Sequence, residues 1–66
     1  MTRKQMKKIA EEIYQCELIH QDENASKEEI ARAEDRILQL TNQVMELPDG
    51  VNALLEIDAL VASKIN

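Results

Sequence analysis

Three neighbouring side chains in this chain are of types that ligate metals: Cys16, Glu17 and His20. Cys16 and His20 stand four residues apart, and Glu17 and His20 three apart, so on an α-helix each pair shares a face. Glu-x-x-His is the spacing that carboxylate-bridged di-iron bundles draw from two helices, with further glutamates completing the site. A symmetric dimer supplies two copies, and Glu34 on the next helical segment adds a carboxylate. The same residues have a plain structural reading. A histidine in the last turn of a helix favours the negative end of the helix dipole, and a lone buried cysteine behaves as a small hydrophobe. A metal-binding helical dimer is therefore the lesser expectation, and no cofactor is predicted.

The second cluster is basic. Arg3, Lys4, Lys7 and Lys8 are half of the eight basic residues, and none of the 13 acids precedes Glu11. Residues 1–8 thus carry +4, and residues 9–66 carry -9, from four basic residues against 13 acids. Positive charge at a helix N-terminus opposes the dipole, so helix stability does not account for it. Two uses remain beside a simply solvated end. The cluster pairs with the acidic body of a neighbouring subunit, or it binds a small phosphate-bearing ligand such as a nucleotide, with Tyr14 against the base. The acidic body argues against duplex nucleic acid, which needs a basic face. One tyrosine with neither Phe nor Trp leaves almost no platform for stacking single strands.

Catalytic constellations are missing. Gly50 is the single glycine, so there is no Gly-rich phosphate loop; Ser26 reads as a helix cap, and Ser63 has no histidine near it in sequence. The carboxylate pairs Glu11/Glu12, Glu28/Glu29 and Glu34/Asp35 fall mostly on outward faces, without the burial that tunes one of a pair as an acid. A non-enzymatic protein is expected.

The elements that must position these groups are helices. Six apolar residues, Ile30, Ala33, Ile37, Leu40, Val44 and Leu47, recur at alternating spacings of three and four, which is one seam of a helix. Leu38 and Met45 extend it on one side. The seam follows Ser26-Lys27-Glu28-Glu29, a reciprocal capping box, with Ala25 and Ile30 as a small hydrophobic staple around it. Pro48 ends the helix, because the residue before a proline is pushed out of the α region. Upstream, Met6, Ile9, Ile13, Cys16 and His20 fall in one arc of a first helix. Downstream, Asp49 reads as an N-cap for a third helix that is apolar nearly all round: Val51, Leu54, Leu55, Ile57, Leu60, Val61 and Ile65. The expected helices are about 2–21, 27–47 and 50–65, in one small domain spanning 1–66.

That length sets the energetic problem. A chain of 66 residues buries only about 60% of its unfolded surface, and such scaffolds usually add disulfides, a metal, idealised helices or oligomerisation. Cys16 is the only cysteine, so no disulfide forms within the chain, and an unpaired thiol suits a reducing compartment. Glu11 and Glu12 break up any secretory apolar stretch, and no apolar run approaches the roughly 18 residues of a membrane span. A cytoplasmic protein is expected. Two partner helices cover only part of the third segment, so Leu54, Leu55, Ile57, Leu60, Val61 and Ile65 are the expected contacts with a second copy.

Three stretches carry a resemblance. Leu54-Leu55-Glu56-Ile57-Asp58-Ala59-Leu60-Val61, Ser26–Ile30 running into Ala33–Ile37, and Ile13–His20 with its Glu17-Leu18-Ile19-His20 ending are similar to small helical accessory proteins encoded by phages and mobile elements of Firmicutes. His20 stands where that group more usually has Gln, so nothing is carried over for that position. The resemblance implies a bacterial host cell and a role by binding. The expected object is all-α: a helical hairpin with a third C-terminal helix packed across it, in a symmetric homo-oligomer. Its expected job is to bind a host protein, as a counter-defence inhibitor; the alternative is a sponge that sequesters a small signalling nucleotide at oligomer interfaces, using Arg3, Lys4, Lys7, Lys8 and Tyr14.

Overall fold

A computed structural model describes residues 1–65 and shows three helices packed against one another: α1 (Arg3–Gln21), α2 (Lys27–Met45) and α3 (Gly50–Ile65), with no strand among the described residues. Local signals set the first two starts. The Gln5 amide donates to Thr2 Oγ1 (3.2 Å) and the Thr2 amide to Gln5 Oε1 (2.8 Å), a capping box that offsets the absence of acids in the first turn of α1. The expected box at α2 also forms, with Glu29 N–H donating to Ser26 Oγ at 3.1 Å and a longer return from Ser26 N–H to Glu29 Oε1 at 3.5 Å.

The core gathers one face of each helix. Met6, Ala10 and Ile13 from α1 meet Leu40 and Val44 from α2 and Ala53, Ile57 and Val61 from α3; Ile9, Ile37, Leu54 and Leu60 pack against this group half-buried. Ile57 and Val44 are the largest side chains that are fully buried. The Cα envelope is 37 × 26 × 15 Å, and the short dimension is little more than one helix diameter, so the core is about one side-chain layer thick.

Two ion pairs give the direction of α3. The Met1 amino group lies 3.7 Å from Asp49 Oδ2 at its start, and the Lys64 ammonium pairs with Glu11 at its end. α3 therefore runs the same way as α1 and stops beside the middle of it. The distal part of the hairpin, from about Glu17 through Lys27 to Glu34, extends beyond α3.

Three expectations are corrected. α2 ends at Met45 and not at 47: Glu46 N–H still reaches Asn42 O (3.2 Å), but Leu47 N–H turns to Val44 O (3.1 Å) ahead of Pro48, and Leu47 is exposed. The seam is thus buried at Ala33, Leu40 and Val44, half-buried at Ile30 and Ile37, and ended before Leu47. Leu38 and Met45 do not widen it, being 60% and 50% exposed. Asp49 caps with its backbone alone: its carbonyl accepts from Ala53 N–H (3.0 Å), while its carboxylate turns to the Met1 amino group.

The single glycine is required by proximity. A Cβ at Gly50 would lie 2.4 Å from the Val44 carbonyl oxygen and 2.9 Å from Met45 Cα, both backbone atoms that a rotamer change cannot move. A Gly50→Ala variant is therefore expected to lose about 1–3 kcal/mol, against the gain of roughly 0.5–1 kcal/mol that Ala gives in an open helix position. Urea unfolding followed by circular dichroism decides the sign.

Candidate functional site

The hairpin separates the three expected metal ligands. Cys16 is buried on the inner side of α1, Glu17 is half-buried, and His20 is exposed. His20 Nε2 lies 3.0 Å from Glu34 Oε1, a contact that joins the end of α1 to α2. Burial, and next the Glu12 charge, push the Cys16 thiol up from its ordinary range, with Arg36 acting in the opposite direction. That favours the neutral thiol, the reverse of what a ligating sulfur needs. Among the described residues no three of these side-chain types converge as a metal-holding group.

Glu17, His20 and Glu34 instead border a groove of about 530 Å³ between α1 and α2, completed by Gln21, Ile37, Leu38 and Thr41. Its origin lies in the helix faces. Ala10, Tyr14, Glu17 and Gln21 succeed one another at spacings of four, three and four, so they form one flank of α1. α3 packs on the near part of that flank, where Ala10 meets Leu60, Ser63 and Lys64 and where the Lys64 ammonium sits 5.9 Å over the Tyr14 ring. Beyond Lys64 the flank is uncovered, and the groove begins. On the opposite flank the seam is closed by Arg36, whose Nε donates to Glu12 Oε1 (2.9 Å) with Nη2 2.8 Å from the same oxygen, while Nη1 donates to Gln39 Oε1 of its own helix (2.9 Å).

The basic cluster remains in solvent. Arg3, Lys4, Lys7 and Lys8 are all exposed, and none forms an ion pair among the described residues. Lys7 alone reaches a recess, a hollow of about 170 Å³ shared with Ala10, Leu60, Ser63 and Lys64. Two of its polar groups are already engaged: the Ser63 hydroxyl donates to Leu60 O (2.8 Å), and Lys64 pairs with Glu11, whose carboxyl that pairing and the Gln15 amide hold below the ordinary range. Tyr14 is half-buried, with a ring face under Lys64.

The six residues expected at a subunit contact divide three ways. Ile57 and Val61 are buried in the chain's own core, Leu54 and Leu60 are half-buried against it, and Leu55 and Ile65 stand out at 64% and 62% exposed. Val51, at 61% exposed, joins the last two. Val51, Leu55, Asp58, Ala62 and Ile65 are spaced four, three, four and three apart, so the exposed residues form one outward stripe with a carboxylate at its centre. The chain matches no protein-family model, and neither a curated protein nor a solved structure is significantly similar to it.

The Cys16 environment makes a prediction. A raised folded-state pKa contributes stability that is fully present below the ordinary thiol value and is lost as pH rises through the folded value. Stability of the wild type should therefore fall more than that of Cys16→Ser between neutrality and about pH 10. Parallel pH dependences of the two proteins in urea titrations would rule this out.

Proposed function

We propose that this chain is a non-enzymatic binding module that works as a symmetric dimer of acidic helical subunits and engages a host protein with a basic surface. The observation that carries this reading is the outward stripe of α3. Val51, Leu55 and Ile65 are each more than 60% exposed on one face of one helix, apolar side chains on either side of Asp58 that give this face the character of an interaction site. A closed two-fold arrangement is the commonest way for such a surface to be covered.

Charge supports an antiparallel arrangement. The side chains of Arg3, Lys4, Lys7 and Lys8 carry +4 and form no ion pair among the described residues, while residues 17–29 hold five acids (Glu17, Asp22, Glu23, Glu28, Glu29) against Lys27. These segments lie toward opposite ends of α1, and an antiparallel pairing of two α3 helices sets unlike ends side by side. It places Val51 opposite Ile65 and Leu55 opposite Ala62 across the axis, and it brings two Asp58 carboxylates together at the centre. The net charge of -5 then remains for a basic partner. The resemblance to phage accessory proteins favours a host factor as that partner and counter-defence as the purpose.

Nucleotide sequestration is the second reading, favoured by the Lys7–Lys64 hollow beside Arg3, Lys4 and Lys8. Its volume of about 170 Å³ falls below the roughly 300–1,000 Å³ of small-molecule sites. It has room for a phosphate, and Tyr14 already has Lys64 on its face.

Light scattering tests the assembly. Wild type is expected at twice the chain mass at micromolar concentration. Leu55→Asp should run as a monomer with unchanged helicity, because Leu55 touches little of the core, whereas Ile57→Asp should unfold the chain. Asp58→Asn should tighten association several-fold by removing the like-charge pair at the axis. A monomeric wild type, or a Leu55→Asp protein that stays dimeric, defeats the proposal.

A further inference from the structure

We infer that the uncovered part of the α1–α2 seam is a receptor groove for a basic amphipathic helix of a partner protein. This rests on the reading of the chain as a binding module and assigns partner contact to a surface separate from the α3 stripe. The groove continues the track along which α3 packs: Ala10 and Tyr14 lie under α3, and Glu17 and Gln21, next on the same flank, do not. It is therefore already shaped by helix packing, with Ile37 and Leu38 as apolar floor and about 530 Å³ of space.

Its polar groups select a cation. Glu17 is half-buried and has no hydrogen-bond or ion-pair partner among the described residues. Glu34 uses only Oε1, toward His20, and the Thr41 hydroxyl spends its proton on Ile37 O (2.8 Å). A half-buried carboxylate facing an apolar floor is stabilised by an incoming Arg or Lys, whose aliphatic stem lies on that floor while its charge meets the acid. Phosphate-bearing ligands are repelled there. A second copy fits poorly as occupant. Between Arg3 and Lys8 the one apolar residue, Met6, is 7% exposed in its own core, and the α3 stripe is centred on Asp58. The remaining occupant is a helix with apolar residues at i, i+4 and i+7 flanked by basic ones, laid into the seam as helix-in-groove recognition requires.

The test uses a fluorescent 14-residue helical peptide with leucines at those three positions and arginines beside them, and a control with each arginine replaced by glutamate. Anisotropy is expected to show saturable binding of the basic peptide and none of the control. Glu17→Gln/Glu34→Gln should weaken binding about tenfold, the value of one charge-assisted contact. Leu38→Ser should weaken it as well, while Glu12→Gln, on the closed flank, should leave it unchanged. Amide shifts at Gln21 and Thr41 should accompany binding. Absent binding, equal binding of the acidic control, an unchanged affinity in the Glu17/Glu34 variant, or shifts confined to α3 would overturn the inference. Light scattering on the same samples separates the two claims: failed peptide binding by an intact dimer removes the groove alone, and peptide binding by a monomer removes the dimer alone.

Discussion

The structure depends on one layer of burial. Ile57 from α3 and Val44 from α2 are the largest residues wholly removed from water, and the rest of the core is grouped with them. Burying a side chain of this size contributes roughly 1.5–3 kcal/mol, against a total stability of about 5–15 kcal/mol for a folded domain. Displacing α3 uncovers Ile57, Val61 and Ala53 together and opens Val44, so the hairpin is not an independent unit. Each helix cap contributes about 1 kcal/mol, which is enough to fix where helices begin but too little to replace that layer.

The ion pairs act differently. Arg36–Glu12 and Lys64–Glu11 have side chains between roughly a third and a half exposed, and solvent screens pairs of that kind so that they add little to stability. Their value is positional. Arg36 closes one flank of the α1–α2 seam through Glu12 and is held in place by Gln39 of its own helix, and Lys64 fixes where α3 stops on the other. The open groove lies on the flank without such a clasp beyond Lys64, bordered by the single His20–Glu34 contact.

Legibility in the sequence followed the range of the interactions. The Ser26 capping box, the spacing of Ala33, Leu40 and Val44, and the break at Pro48 are written within a few residues of one another, and each has its structural counterpart. Thr2-Arg3-Lys4-Gln5 is a signature of the same kind, and the charge of Arg3 and Lys4 masks it. Periodicity placed Leu38 and Met45 beside the seam but carried no information on which flank α3 would cover. The apolar surplus of α3 was likewise visible as a whole, whereas its division into Ile57 and Val61 inside and Val51, Leu55 and Ile65 outside is a tertiary fact. The groove was the least legible. Glu17 and His20 drew notice as ligand types, but their common border with Ile37 and Leu38 depends on the level at which a helix some 25 residues later comes to an end.

Gly50 sets that level. A Cβ there would strike the Val44 carbonyl and the backbone of Met45, so α3 leaves the hairpin from an approach that has no side chain to adjust it. A helix of 16 residues is about 24 Å long, and a tilt of about 5° at its base moves its tip by about 2 Å. Such a swing at this fulcrum pulls Lys64 away from Glu11 and Tyr14 and redraws the near edge of the groove, with no residue of the groove altered. The missing methyl group at Gly50 thus acts as a gauge, and the length of open seam at the far end of the molecule is read from it.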